Sequence, residues 1–392
     1  MRCGRNFFSE ASVVIPDASA TMQTVENADI MGKKVADQLV ETICRAGIRH
    51  IYAVTGDSLN EVNDAVRRAG TVRWVHVHHE ESGAFAAAAE SELNGIACCA
   101  GSSGPGHVHL INGLYDAHRS NCPVLAIAST CPSDQFGTGY FQETDPIRLF
   151  DDCSGYNQMA VTPAQFARML PAALQHAIHR REVAVVGLPG DVAASPCAES
   201  PGASGPLPSH GIYRPLDGEL RQLAEMIGSA ERITVFCGIG AREAHDEVVR
   251  LAAMLKAPVA YTFKAKMEVQ YDNPYEIGMT GLLGLPSAYG AMHESDLLLL
   301  LGTDFPYDCF LPSECRIAQV DIRPERIGRR ARVELGLAGD VKETLQALFP
   351  MLRERSDRVF LDRQLKIYGA LCDDMAAVAS KRGSAGNIAP EY

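Results

Sequence analysis

Two adjacent acids, Glu80 and Glu81, follow His79 and open a run of small apolar residues, Ser-Gly-Ala-Phe-Ala-Ala-Ala-Ala. Successive residues on a helix point about 100° apart, so one of the two at most can face a given cleft. A carboxyl group held among such side chains loses hydration, favours its neutral form and can exchange a proton as general acid or base. The same pair also suits an ordinary helix N-terminus, where the dipole stabilises acids, and spacing leaves both uses open. A second candidate is Gly101-Ser-Ser-Gly104-Pro105-Gly106, where glycines between a strand and a helix let backbone N–H groups approach a ligand. It matches neither GxGxxG nor a phosphate loop, and Gly-rich turns precede many helices. The third, Cys237-Gly238-Ile-Gly240-Ala241, is half of a dinucleotide fingerprint without the expected acid about 20 residues on, and tight strand–helix packing explains it equally well. No GxSxG elbow, HExxH helix or EF-hand loop occurs. His76, His78 and His79 lie close together without further ligands, so they read as core or surface histidines and no metal ligand is assigned.

These residues must be carried by regular elements. Apolar positions at helical spacing predict a helix over 32–46, ending at Gly47. A strand at 50–54 follows, and Ser58-Leu-Asn-Glu61 reads as a capping box opening a helix that runs to Gly70. Strand 72–77, helix 80–93, strand 96–101, helix 106–119 and strand 123–128 continue the alternation, which resumes with helix 163–179 and strand 183–188. Segment 193–215, with five prolines and three glycines, reads as a linker. A second alternation follows: helices at 217–229, 241–255, 286–294 and 341–349, and strands at 233–237, 258–262, 297–301 and 316–322. Strands and helices in this order predict two α/β domains, each a doubly wound parallel sheet. Residues 1–30 lack a sustained period and read as a disordered extension or a misassigned start before Met31, while 357–379 is an amphipathic helix.

The 392 residues, 46% hydrophobic and 21% charged, have an ordinary globular composition. Net charge is −12, and no Lys/Arg cluster offsets it, which makes nucleic acid and anionic membranes poor partners. No apolar run is long enough to cross a bilayer, which needs about 18 residues or more. Twelve cysteines without a CxxC pair are too few for a disulfide scaffold, and they fit the cytoplasm, where thiols stay reduced.

Longer stretches carry a resemblance. VTGDSLN (54–60), HHEESGAFAAAAE (78–90), CAGSSGPGHVHLINGLYDAHRSNCPVLAIA (99–128), GYFQETDP (139–146) and LPGDVA (188–193) resemble the pyrimidine-binding domain of thiamin diphosphate (ThDP) enzymes. APVAYTFKAKMEVQYDNPYEIGMTGLLG (257–284), LLGTDFPYD (300–308), QVDIRPERIG (319–328) and LAGDVKETL (337–345) are similar to the central, Rossmann-like FAD-binding domain of the pyruvate:quinone oxidoreductases, or pyruvate oxidases. YFQETDP favours that branch over the acetolactate synthases. The resemblance implies a pyrimidine domain over 31–192, an FAD domain over 216–355, and at 356–392 a helix leading toward a third domain.

The resemblance also implies roles. Glu80 matches the glutamate that hydrogen-bonds N1′ of the ThDP aminopyrimidine and favours its imino tautomer, whose N4′ removes the thiazolium proton. Phe141 and Gln142 match side chains that reach toward the thiazolium and substrate from a neighbouring subunit's site, and Thr55, Gly56, Gly104, Pro105 and Gly106 match loops around the pyrimidine. Gly238 and Gly240, the segment Gly281-Leu282-Leu283-Gly284, the segment Asp304-Phe305-Pro306-Tyr307-Asp308, and Asp321-Ile322 are expected along FAD, with Asp340 near its adenine end. The implied reaction converts pyruvate to acetate and CO₂, passing electrons through FAD to a quinone, with Mg²⁺ at the diphosphate in the complete enzyme. A homodimer or tetramer is implied, in the cytoplasm or peripheral to the inner membrane.

This chain departs from the pattern at three places. His107 stands where Asn is usual after GPG, Asp308 where an arginine is expected, and Lys264-Ala265-Lys266 where Arg-Gly-Lys is expected. Exchanging a cation for Asp308 is expected to weaken a contact with the flavin diphosphate. The sequence contains no GDG motif with a spaced Asn, the element that holds Mg²⁺ and diphosphate in the family. The expectation is therefore two of three domains. Alternatives are a catalytically inactive FAD-binding or dimerising remnant, or an acetolactate synthase-like enzyme.

Overall fold

A computed structural model describes residues 32–199, 206 and 211–379. The expectation for residues 1–30 therefore lies outside the described residues, as does most of the Pro-rich segment. The chain divides into two compact units, residues 1–209 and 210–392.

The first unit carries β1 (His50–Ala53), β2 (Arg73–His76), β3 (Ala97–Gly101), β4 (Val124–Thr130), β5 (Tyr156–Met159) and β6 (Val183–Pro189). Its helices are α1 (Val35–Arg45), α2 (Asn60–Ala69), α3 (Glu80–Asn94), α4 (Pro105–Val108), α5 (Ile111–Ser120), α6 (Pro146–Leu149), α7 (Pro163–Arg180) and α8 (Gly190–Ala194). The strands form one parallel sheet in the order β2-β1-β3-β4-β6-β5. Apolar residues lie on both faces, with Leu39, Ile43 and Phe166 in one layer and Leu114 and Phe150 in the other. Burying each such side chain contributes roughly 1.5–3 kcal/mol.

The second unit repeats the architecture with β7 (Ile233–Cys237), β8 (Val259–Tyr261), β9 (Glu276–Met279), β10 (Leu297–Leu301), β11 (Arg316–Asp321) and β12 (Leu335–Ala338), in the parallel order β12-β11-β10-β7-β8-β9. Around them lie α9 (Asp217–Ser229), α10 (His245–Leu255), α11 (Lys266–Val269), α12 (Pro286–Glu294), α13 (Val341–Leu348) and α14 (Val359–Ala379).

The first sheet reverses its winding at β2 and again at β5, and the second reverses once, at β9. The chain steps from β1 outward to β2 and then returns to β3 on the other side, and it steps from β7 out to β9 before returning to β10. At such a point the flanking helices leave in opposite directions, and a crevice opens at the carboxyl ends of the two strands. The loops after β1 and β3, and those after β7 and β10, therefore border the two crevices.

Several expectations need correction. Helix 106–119 is two helices, α4 and α5, because His109 and Leu110 interrupt it. Helix 241–255 begins only at His245, after a single tight turn over Ile239–Ala241. Ser58 is no N-cap: a short turn over Asp57–Leu59 precedes α2, and no side chain caps α2. Residues 193 and 194, assigned to the linker, close α8.

Candidate functional site

Helix α3 begins directly after a short turn, and His79 caps it by accepting the Glu81 N–H through Nδ1 at 3.3 Å. This fixes which acid turns inward. Glu80 is buried, only 7% exposed, while Glu81 faces out and accepts a hydrogen bond from Asn112. Small residues bring the helix close to the sheet: a Cβ on Gly83 would lie 3.2 Å from the Tyr52 carbonyl of β1. Glu80 Oε2 lies 3.0 Å from His109 Nδ1. Oε1 has no hydrogen-bond partner among the described residues, and a Cβ on Gly106 would come within 3.4 Å of it.

The crevice wall is built from the two Gly-rich loops. Gly56 must be glycine because a Cβ there would overlap Ser102, 2.2 Å from its Oγ. Ser58 Oγ shares a 2.9 Å hydrogen bond with Ser102 Oγ and accepts the Ser103 N–H at 2.9 Å. The serine that reads as a helix cap thus ties the β1 loop to the β3 loop, and only its position two residues past Gly56 hinted at it. Thr55 and Pro105 are exposed, Gly104 and Gly106 buried. Gly104 adopts φ +65°, and a Cβ there would lie 2.8 Å from Gln142 Cβ.

That contact brings in the loop after β4. Gln142 adopts φ +62°, and its Oε1 accepts from Ser103 Oγ at 3.2 Å. Phe141 is 79% exposed. Glu143 closes the loop on itself by accepting the N–H groups of Gly137, Gly139 and Tyr140, and these hydrogen bonds hold its carboxyl below the usual range. His107 is fully buried between the Ser129 carbonyl and Thr144. The structure thus brings Glu80, the glycines and Gln142 to one end of one sheet.

One cluster escapes sequence reading. His79, Glu80 and His109 place a ligand atom each within 4.8 Å of one another, although His109 is 29 residues from Glu80 and no motif joins them. The two imidazoles stack with centroids 4.3 Å apart and planes 25° from parallel. Lone pairs lie in the ring planes, so near-parallel rings do not converge on one ion as they stand. The arrangement instead suits proton sharing between a half-exposed imidazole and a buried carboxylate.

In the second unit the candidate residues also gather at the carboxyl ends. Backbone packing accounts for the need for glycine at two of them: a Cβ on Gly238 would lie 2.4 Å from the Gly302 carbonyl oxygen, and one on Gly240 would lie 2.7 Å from Gly302 Cα. Gly281 adopts φ +115°, Gly284 packs on Thr280, and Leu282 and Leu283 between them are exposed. Asp304 accepts from Arg329 at 3.0 Å and Arg330 at 3.2 Å, cations that sequence reading did not single out. Phe305 is buried edge-on to Phe236, while Pro306, Tyr307 and Asp308 are exposed. Asp321 is buried at the end of β11, accepts the Arg323 N–H at 2.9 Å, and burial raises its carboxyl pKa; Ile322 beside it is exposed. Asp340 caps α13 by accepting the Glu343 N–H. A separate cleft of about 760 Å³ lies beside the amino end of β11, where Arg316, Arg330 and Arg332 face Asp308, Glu314 and Glu334.

Among the described residues, no helix is long and apolar enough to cross a membrane. Their cysteines are free thiols, and burial pushes Cys99 and Cys237 up to about 12, which makes them poor nucleophiles.

Comparison with known proteins gives two domain matches. Residues 33–149 match the N-terminal TPP binding domain of thiamine pyrophosphate enzymes, and residues 220–348 match their central domain. An uncharacterised 42.6 kDa protein of Pseudomonas amyloderamosa is 50% identical over 86% of this chain and 85% of its own length. Pyruvate oxidase of Lactiplantibacillus plantarum is 31% identical over 79% of this chain and 52% of its own. Acetolactate synthase of Arabidopsis thaliana is 29% identical over 84% of this chain and 51% of its own. The chain thus spans about half the length of the two enzymes.

Proposed function

The chain belongs to the thiamine pyrophosphate enzyme family, and from that premise we propose that its first unit binds the aminopyrimidine of ThDP against Glu80, as part of an enzyme that oxidatively decarboxylates pyruvate. The observation that carries this reading is the Glu80 carboxyl group, buried at the rim of the β1/β3 crevice with Oε1 unpartnered among the described residues and Oε2 on His109.

Chemistry and surroundings fit a ring nitrogen there. A mostly buried carboxyl group that keeps one oxygen without a donor can share a proton there with a heteroaromatic nitrogen. Glu80 would hold that proton at Oε1, His109 would relay charge through Oε2, and the Gly104–Gly106 backbone would exclude water from the ring edge. When bound, ThDP supplies the electron sink that decarboxylation of a 2-oxo acid requires. Gln142 and exposed Phe141 stand beside the same loops and would border the substrate.

The second unit would take FAD at the β7/β10 crevice, bordered by 281–284, 304–308 and 321–322, with Asp340 toward the adenine. In this crevice Asp304 is already neutralised by two arginines and Asp308 presents a negative charge. Those two acids favour a second reading, an acetolactate synthase-like enzyme, whose carbon–carbon bond formation needs no electron transfer through a flavin. The test is purification of the full-length protein, its flavin absorbance, and product analysis from pyruvate with ThDP and Mg²⁺. Acetate formation with flavin reduction supports the oxidase; acetolactate as the product supports the second reading and overturns the first.

A further inference from the structure

His107 is fully buried although polar. A buried imidazole is costly unless both ring nitrogens are satisfied. Here both are. Nδ1 lies 2.8 Å from the Ser129 carbonyl at the end of β4, and Nε2 lies 2.6 Å from Thr144 Oγ1. A carbonyl only accepts, so Nδ1 carries the hydrogen. In the neutral ring Nε2 then accepts, and the Thr144 hydroxyl donates to it.

This chain of bonds runs from the end of strand β4 to the surface loop that follows it. Backbone contacts fix the ring's own position: the His107 N–H bonds the Ser102 carbonyl at 2.8 Å, and a Cβ on Gly101 would lie 2.5 Å from His107 Cα. The Phe150 ring packs at 5.9 Å. Thr144 stands two residues after Gln142 and three after Phe141. The loop therefore has two moorings to the β3 turn and its helix, Gln142 on Ser103 and Thr144 on His107.

We propose that His107 is a positioning residue, a neutral two-ended connector that sets where Phe141 and Gln142 stand over the Glu80 crevice. Its value to catalysis rests on the ThDP reading above; the mooring itself does not. Burial also lowers the His107 pKa, which keeps the connector neutral.

The two bonds can be separated by substitution. Asn places its amide where Nδ1 was, so His107→Asn keeps the Ser129 bond and loses Thr144. Gln reaches as far as Nε2, so His107→Gln can accept from Thr144 and leaves the Ser129 carbonyl unpaired. Chymotrypsin cleavage after exposed Tyr140 and Phe141 reads loop release in the full chain. The expected result is cleavage roughly fivefold faster in His107→Asn and Thr144→Val, the factor one net hydrogen bond is worth, and near the wild-type rate in His107→Gln. Thermal denaturation should order the variants differently, with His107→Gln below His107→Asn. Should a position-107 variant fail to fold, Thr144→Val alone carries the test. Wild-type cleavage in folded His107→Asn, or in Thr144→Val, overturns the proposal. Binding of ThDP, measured separately, tests the other reading, so loop release without ThDP binding would sink that reading and leave the mooring intact.

Discussion

The two units share one architecture, a six-stranded parallel sheet, but they wind it in different orders and use it differently. In the first, the loops at the switch point are tied by hydroxyls, Ser58 to Ser102 and Ser103, and the crevice keeps a buried carboxylate with an oxygen to spare. In the second, the corresponding loops are packed backbone on backbone at Gly238, Gly240 and Gly302, and the acid nearest them, Asp304, is already matched by Arg329 and Arg330. The sheet supplies a crevice in both cases. What can be done there depends on the groups that line it, and the first unit turns a carboxyl group inward where the second turns an acid already paired with two arginines.

Substitutions that strike the ties should separate the units. Gly238→Ala drives a methyl into the Gly302 carbonyl and Thr303, backbone that cannot move aside, and should cost about 2–3 kcal/mol, read as a lower denaturation midpoint of the second unit alone. A neutral result would mean that the β7/β10 crevice is looser than its packing. Ser58→Ala removes the acceptor of the Ser103 N–H and should cost about 1–2 kcal/mol in the first unit, again by denaturant titration. Glu61→Gln should leave α2 intact by circular dichroism, because Glu61 pairs with Lys34 and caps nothing. Replacing Arg329 and Arg330 together by alanine should cost about 1 kcal/mol or less, since both are well exposed.

The smallest contrast is in pH dependence. Buried His107 prefers its neutral form, so below about pH 6.5 the unfolded chain takes up a proton first and stability falls on acidification. No charged side chain contributes to this shift; burial opposes protonation and the Ser129 carbonyl partly offsets it. Buried Asp321 prefers its protonated form, so above about pH 3.9 the unfolded chain loses its proton first and stability falls as pH rises toward the folded value. The two contributions slope in opposite directions, and His107→Gln and Asp321→Asn should each remove one of them.

Central strands and helices were readable because they carry strong patterns. The fully buried runs VLAIAST in β4 and LLLLL in β10 could be little else. The strands that escaped, Tyr156–Met159, Glu276–Met279 and Leu335–Ala338, all lie at sheet edges, where one neighbour suffices and no continuous apolar run is required. The site divides the same way. The local pattern left Glu80 and Glu81 open as alternatives, the resemblance named Glu80, and the fold turns that acid inward. His109 and Thr144 were not, since their partners stand 29 and 37 residues away in sequence. Ser58 was misread because S-x-x-E is a local signal and its real partners are 44 and 45 residues distant.

The account turns on what Glu80 does with its spare oxygen, and calorimetric titration of the full-length protein with ThDP, wild type against Glu80→Gln, tests this most directly. Gln preserves size and can still meet His109, but it cannot share a proton with a ring nitrogen. Affinity should fall about tenfold to a hundredfold, the range for a hydrogen bond to a charged group. Equal affinity in the two proteins would contradict the account.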